Sequence, residues 1–274
     1  MVGTNPMKKA EELLAESNLQ AAIQELTSQV KVSPTDVRLR TFLFELLVFA
    51  GDWDRAERQL DVVGQQSAKA EVGVEVYRNN IKAERDRARL FSDGLHPHFL
   101  SEPPAYVDLH LETINRIREG NGREARTLLD RAEEDRPALM GRLNDTPFLD
   151  FRDYNDLVGP VLEVIIANKY TWVPLERIKR LEMGAPRELR DLIWVAAHLE
   201  TIDGVIGEAF IPALYSGSNK HPDDRVKLGR MTEWDQISEG LYAGAGLRLF
   251  LVDDRDRPML EARTIEFGNL GRIN

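Results

Sequence analysis

The sequence predicts an α+β protein in which an N-terminal helical repeat region packs on a C-terminal β-rich domain. Three observations carry this expectation. Small and apolar residues recur at a fixed interval in the first half. Around Pro137 the pattern changes to short runs of Trp, Tyr, Val and Ile between turn residues. The chain has 274 residues with 42% hydrophobic content, enough for two cores of ordinary size. The expected boundary places the helical domain at 1–138 and the mixed, β-rich domain at 139–274.

The repeat appears when three segments are aligned: SNLQAAIQEL from Ser17, GDWDRAERQL from Gly51 and GNGREARTLL from Gly120. Each puts Ala at its sixth position (Ala22, Ala56, Ala125) and Leu four residues later (Leu26, Leu60, Leu129). The first interval is 34 residues and the second 69, about twice that. Leu13 and Leu47 share the 34-residue offset. This period belongs to tetratricopeptide-type helix pairs. A Gly or Ser followed by Asp or Asn turns the chain and caps the second helix. The small Ala lets the first helix approach, and the Leu one turn later fills the shared core.

Taken in order, helices are expected near 6–16, 19–31, 35–50, 53–65, 68–91, 105–119 and 123–136. Trp53 is expected to pack as the aromatic after its turn. The stretch around 68–104 departs from the repeat and reads as one long helix with a degenerate partner. FSDGLHPHFLSEPPAY, Phe91 to Tyr106, is a connection rich in Pro and Gly. So few units leave an open end that another part of the chain must cover, and the second half is the candidate.

In that second half, YTWVPLERIKRLEM (Tyr170 to Met183) reads as two extended pieces around a Pro-Leu-Glu corner. RDLIWVAAHLET and GEAFIPALY read as facing strands. GLRLFLVDDRDRPMLEARTIEF reads as a hairpin turned by its acidic cluster. VGPVLEVIIANK, Val158 to Lys169, reads as a helix laying an apolar face on the sheet. Trp172, Trp194 and Trp234 are expected as core anchors of this domain, with a surface patch built on them as the alternative.

Composition narrows the function. A net charge of −10 disfavours nucleic acid, which needs a basic face. No apolar run reaches the length of a membrane span, and the N-terminus lacks the features of a signal peptide. There are no cysteines, so disulfides and thiolate chemistry are excluded. A cytoplasmic protein without cofactor or metal is expected. His96 and His98 form a loop pair without further ligands; His198 reads as a core imidazole and His221 as an exposed loop residue. No Ser stands in a nucleophile elbow. Gly244 and Gly246 lack the rest of a dinucleotide fingerprint and read as close backbone packing. Asp253, Asp254 and Asp256 lack the Gly and Glu of a calcium loop. No group supplies nucleophile, base and oxyanion donor together, so no catalytic residue is assigned.

Five stretches together resemble the ImpE/TagJ (SciE-type) accessory proteins of bacterial type VI secretion systems. They are LRTFLFELLVFAGDWDRAERQL, GPVLEVIIANKYTWVPLERIKRLEM, LRDLIWVAAHLET, GEAFIPALYSGS and RMTEWDQISEGLYAGAGLRLFLVDD. The resemblance runs from about residue 11 to 267. It implies a non-enzymatic cytoplasmic adaptor that binds the small subunit of the contractile sheath through that subunit's N-terminal helical region. It also implies a link to the ClpV-type AAA+ ATPase that recycles contracted sheath.

Helix-pair repeats offer a groove lined by the first helix of each pair. Here that face carries Arg38, Thr41, Glu45 and Phe49 in the second unit and His110, Ile114 and Arg118 in the third, at spacings of 3 or 4. These seven are the expected partner contacts. The competing assignment puts Phe49 and Ile114 in the core. Two other functions stay open: an enzyme in the β-rich half, centred on His198 and Glu200, with the repeats holding a protein substrate, and a repeat scaffold for an unrelated complex.

Overall fold

The computed structural model describes residues 6–66 and 68–268. The seven expected helices form as α1 (Pro6–Ala15), α2 (Leu19–Val32), α3 (Val37–Phe49), α4 (Trp53–Gly64), α5 (Ala68–Asp93), α6 (Ala105–Arg118) and α7 (Gly122–Asp135). The aligned segments fold alike. Ser17, Gly51 and Gly120 all take positive φ, at 59°, 71° and 78°. The next amide reaches back to Leu13, Leu47 and Arg116 respectively, and the amide before it to Leu14, Val48 and Ile117. Each first helix thus ends in the same left-handed turn, which satisfies its last carbonyls. Asn18 and Asp52 then cap the second helix by accepting from the amides of Ala21 and Arg55. Ala22, Ala56 and Ala125 are fully buried, with Leu26, Leu60 and Leu129 beside them. Trp53 opens α4 half-buried, packed against this core.

α5 is one helix of 26 residues and has no helical partner of its own. The chain instead enters β1 (His98–Phe99) before returning to helix at α6. β1 pairs in parallel with β6 (Lys169–Pro174), so the degenerate partner of α5 is a strand segment.

Beyond α7 the remaining strands are β2 (Gly141–Leu143), β3 (Thr146–Phe148), β4 (Phe151–Asp153), β5 (Val161–Ile166), β7 (Ile178–Met183), β8 (Trp194–Thr201), β9 (Ile206–Pro212), β10 (Thr232–Ser238), β11 (Leu241–Gly246), β12 (Leu249–Val252), β13 (Arg255–Pro258) and β14 (Thr264–Phe267). A one-turn helix, α8 (Asp224–Lys227), precedes β10. Among the described residues the main sheet runs β1-β6-β5-β9-β8-β7-β14-β2-β3, a smaller one runs β13-β12-β4, and β10-β11 form a ribbon. The corner at Leu175–Arg177 and the antiparallel β8–β9 pair match expectation. The expected C-terminal hairpin forms only in part: Arg255 to Arg257, expected in its turn, lie in β13 against β12, and TIEF forms β14, which pairs with β7 and β2 of the main sheet instead. The edge strand β3 carries Pro147, which discourages further strand pairing.

The helix expected over Val158 to Lys169 is a correction. β5 and β6 form a hairpin instead, turned by Ala167 and Asn168 at φ 49° and 63°. All six residues of β5 are buried, because the sheet divides two cores. Val161 and Ile165 face the helices, while Leu162, Val164 and Ile166 face the opposite core. Burial on both faces erases the polar alternation that marks a strand.

Trp172 and Trp194 are fully buried on the helix-facing side. Trp234 is only half-buried, set edge-on against Tyr154 and Tyr215. Two histidines also differ from expectation. His198 is on the open face of β8, its Nδ1 2.7 Å from Glu208. Burial alternates along β8, and His198 falls on the solvent side. His221 is half-buried, with Nε2 3.1 Å from Glu233. Gly244 lies under the Tyr215 ring and Gly246 (φ 98°) against the Met231 carbonyl, leaving no room for a side chain.

Candidate protein-binding groove

A groove of about 480 Å³ opens between α1, α3 and the segment 188–190. α1 presents Met7, Glu11 and Leu14, spaced 4 and 3 apart and so on one face. α3 presents Val37, Arg38, Thr41, Phe42 and Glu45. The β-rich half supplies the other wall through Glu188, Leu189 and Arg190, and Arg230 closes one end. Leu14, Val37, Phe42 and Leu189 make the apolar lining, and the charges of Glu11, Arg38 and Glu188 stand among them.

The two cations of the C-terminal half are already engaged. Arg230 donates to the Ala15 carbonyl and the Ser17 hydroxyl, at 2.9 and 2.8 Å, and so caps the end of α1. Arg190 pairs with Glu45 at 3.0 Å and donates to the Tyr77 hydroxyl at 2.8 Å. Burial raises the pKa of Glu45, and Arg190 opposes that rise. Arg38 is exposed and forms no ion pair among the described residues. It is the cation of this groove that is free to meet a partner.

Three of the seven expected contact residues, Arg38, Thr41 and Glu45, come together here. Phe49 does not. It is buried at 2% exposure in a run from Leu43 to Phe49 without an exposed residue. α3 is enclosed on all sides near its C-terminus, so its groove face exists only in its first two turns and Glu45 lies at the end of it. His110 and Ile114 are likewise corrections, at 0% and 1% exposure; α6 lays this face on the single turn Asp156–Val158 and the helical core. Neither ring nitrogen of His110 makes a well-aligned hydrogen bond among the described residues, although the backbone of Leu157 and Asp156 lies near enough to oppose the effect of burial in part. Burial lowers its pKa to about 3, so the ring is neutral. Arg118 is exposed but engaged, donating to the Ser92 carbonyl and Asn115 at 3.1 and 2.8 Å. Its end of α6 does not border the groove.

The α1 face could have been found from its spacing. Arg190 and Arg230 gave no sequence signal, because only the tertiary fold brings them to α1 and α3. His198 and Glu200, the pair considered for catalysis, each turn to another partner. Glu200 pairs with Lys179 at 2.6 Å and His198 with Glu208. Among the described residues no group of three or more acidic or His side chains could hold a metal ion, and no helix is long and apolar enough to cross a membrane.

The three helix pairs, the long α5 and the sheet behind them define a tetratricopeptide-like repeat protein joined to a β-rich half. Comparison with known proteins agrees. Residues 13–73 match the tetratricopeptide repeat, and residues 145–266 match the ImpE protein family. A Pseudomonas aeruginosa protein named type VI secretion system accessory component TagJ is 37% identical over 258 residues, spanning 94% of this chain and 90% of the relative. The crystal structure of protein VPA1032 from Vibrio parahaemolyticus superposes with a TM-score of 0.87 at 27% identity, covering 95% of this chain and 98% of that one. The chain belongs to the ImpE/TagJ family.

Proposed function

We propose that this protein is a non-enzymatic cytoplasmic adaptor of a type VI secretion system. In this reading its groove holds an amphipathic helix from the N-terminal region of the small sheath subunit. That contact links the protein to sheath recycling by the ClpV-type ATPase. The observation that carries the reading is the α1–α3 groove, an apolar trough with an unpaired Arg38 on its rim. A helix is matched to such a trough by apolar anchors at i, i+3 or i+4 and by one acidic residue facing Arg38. The family relationship supplies the secretion system, since a relative carries that accessory name.

The test is fluorescence anisotropy with a labelled peptide spanning the N-terminal helix of the cognate small sheath subunit. Saturable binding that Arg38→Glu weakens is the expected result. Absence of binding by the unmodified protein at roughly tens of micromolar would remove this partner. Undiminished binding by the variant would move the site away from the groove.

A further inference from the structure

We infer that Arg190 is a latch that builds one wall of the groove, clamping the segment 187–192 of the β-rich half onto α3 and α5. This rests on the groove being the binding site. The segment is a short single turn, Leu189–Leu192, that leads into β8. It is closed locally by the Asp191 carboxylate, which accepts from the amides of Arg187 and Glu188 at 2.8 and 2.9 Å. Such a turn fixes its own shape but not its place against the helices.

Leu189, Leu192 and Ile193 pack the turn on the helical core, and Arg190 pins its position there. Its Nη1 reaches Glu45 on α3 at 3.0 Å, its Nε reaches the Tyr77 hydroxyl on α5 at 2.8 Å, and its Cζ lies 5.5 Å from the centre of the Tyr77 ring. The Tyr77 ring stacks in turn on Trp194, the first residue of β8, at 6.1 Å and 26°, and leans on Phe44 of α3 at 5.7 Å. One guanidinium therefore joins three elements through an ion pair, a hydrogen bond and a cation–π contact. Glu45 is 6% exposed. An ionised carboxylate so buried persists only beside a cation, and Arg190 is the cation that reaches it. Leu189, which the latch carries into the groove, is part of the apolar lining. When the latch opens, Leu189 loses its fixed position and the trough loses a wall, although Arg190 itself need not touch the ligand.

The experiment uses the full chain and two readings, hydrogen exchange over 185–193 and anisotropy with the sheath-subunit helix peptide. In Arg190→Gln, exchange across 185–193 is expected to rise about tenfold while α2 and β5 keep their protection, as for a local opening. Peptide affinity is expected to fall about fivefold or more in the same variant. Glu45→Gln should reproduce both effects. Unchanged protection of 185–193 in Arg190→Gln overturns the latch. If that variant loses protection throughout, Tyr77→Phe, which removes one hydroxyl, replaces it, and a rise confined to the segment is required. Should the unmodified protein bind no peptide, the proposed partner fails while the exchange reading still decides the latch.

Discussion

Arg87 and Glu163, 76 positions apart, close a two-pronged ion pair at 2.9 Å on each prong, with 3% and 1% of their side chains exposed. Arg87 comes from α5 and Glu163 from β5, so the pair crosses the boundary between helices and sheet. Arg248 binds the same carboxylate and extends the chain of charges to Asp153, 2.5 Å away. Tyr170 donates to Glu163 at 2.6 Å and accepts from Trp172, and Arg87 also donates to the Leu214 carbonyl. Burial alone would raise the pKa of Glu163, but Arg87 and Arg248 prevail and hold it well below the usual carboxylate range.

Removing one member of this network leaves a buried charge without its counterpart. Glu163→Gln is expected to destabilise the protein by about 3–5 kcal/mol. Urea denaturation with the slope held common to both proteins measures it. A loss below about 1 kcal/mol would show that the arginines find other partners.

His110 gives the stability an acid-side slope. In the folded chain its pKa is lowered to about 3, whereas an unfolded imidazole titrates near 6.5. Below pH 6.5 the unfolded state takes up a proton that the folded state refuses, so stability falls as pH drops from 6.5 toward 3, by at most about 1.4 kcal/mol per unit for this one group. His110→Leu should lose that contribution. Urea midpoints at pH 7.5 and 5.0 compare the two proteins; an identical drop in both would refute the assignment.

The left-handed turn before α4 can be tested at two adjacent positions. Gly51→Ala adds a Cβ where φ is 71° and the Asn219 side chain stands 1.8 Å from the new atom. A loss of about 1–2 kcal/mol is expected, with part of it recovered in Gly51→Ala/Asn219→Ala. Asp52→Ala should cost about 1 kcal/mol through the cap alone. Thermal melting of the three variants checks both values; full recovery in the double variant would show that backbone strain is unimportant here.

Arg38→Glu separates binding from folding. The side chain is exposed and unpaired among the described residues, so stability should change by no more than about 0.5 kcal/mol. A larger loss in a melting experiment would assign Arg38 a structural role instead.

The helices were legible because a helix buried on one side leaves a 3.6-residue stripe, and because the Ala22, Ala56 and Ala125 positions repeat it. The turns were legible in outline, since Ser17-Asn18, Gly51-Asp52 and Gly120-Asn121 supply a left-handed residue and then an Asx residue. β5 was not legible, because VLEVII is buried on both faces and presents no period at all. The Ala167-Asn168 turn carried the available hint, weak because Ala rarely adopts positive φ. Half of the groove was readable from α3. The error at Phe49 arose where Leu43 to Phe49 is enclosed all round, so spacing could not say which side faced outward. The error at His110 and Ile114 has a related cause, since the face expected to be open is the one the β-rich half covers. Arg190 and Arg230 reach the groove through contacts at separations of 145 and 215 residues, beyond what local pattern can show.

The two residues of β1 shape the molecule more than their number suggests. The backbone leaves α5, runs beside β6, and then turns away again to form α6 and α7. The helical part is therefore stitched to the sheet in the middle of its own length as well as at its end. Cleaving the chain after Pro137 would not free an intact helical module, for the fragment would carry away an outer strand of its neighbour's sheet.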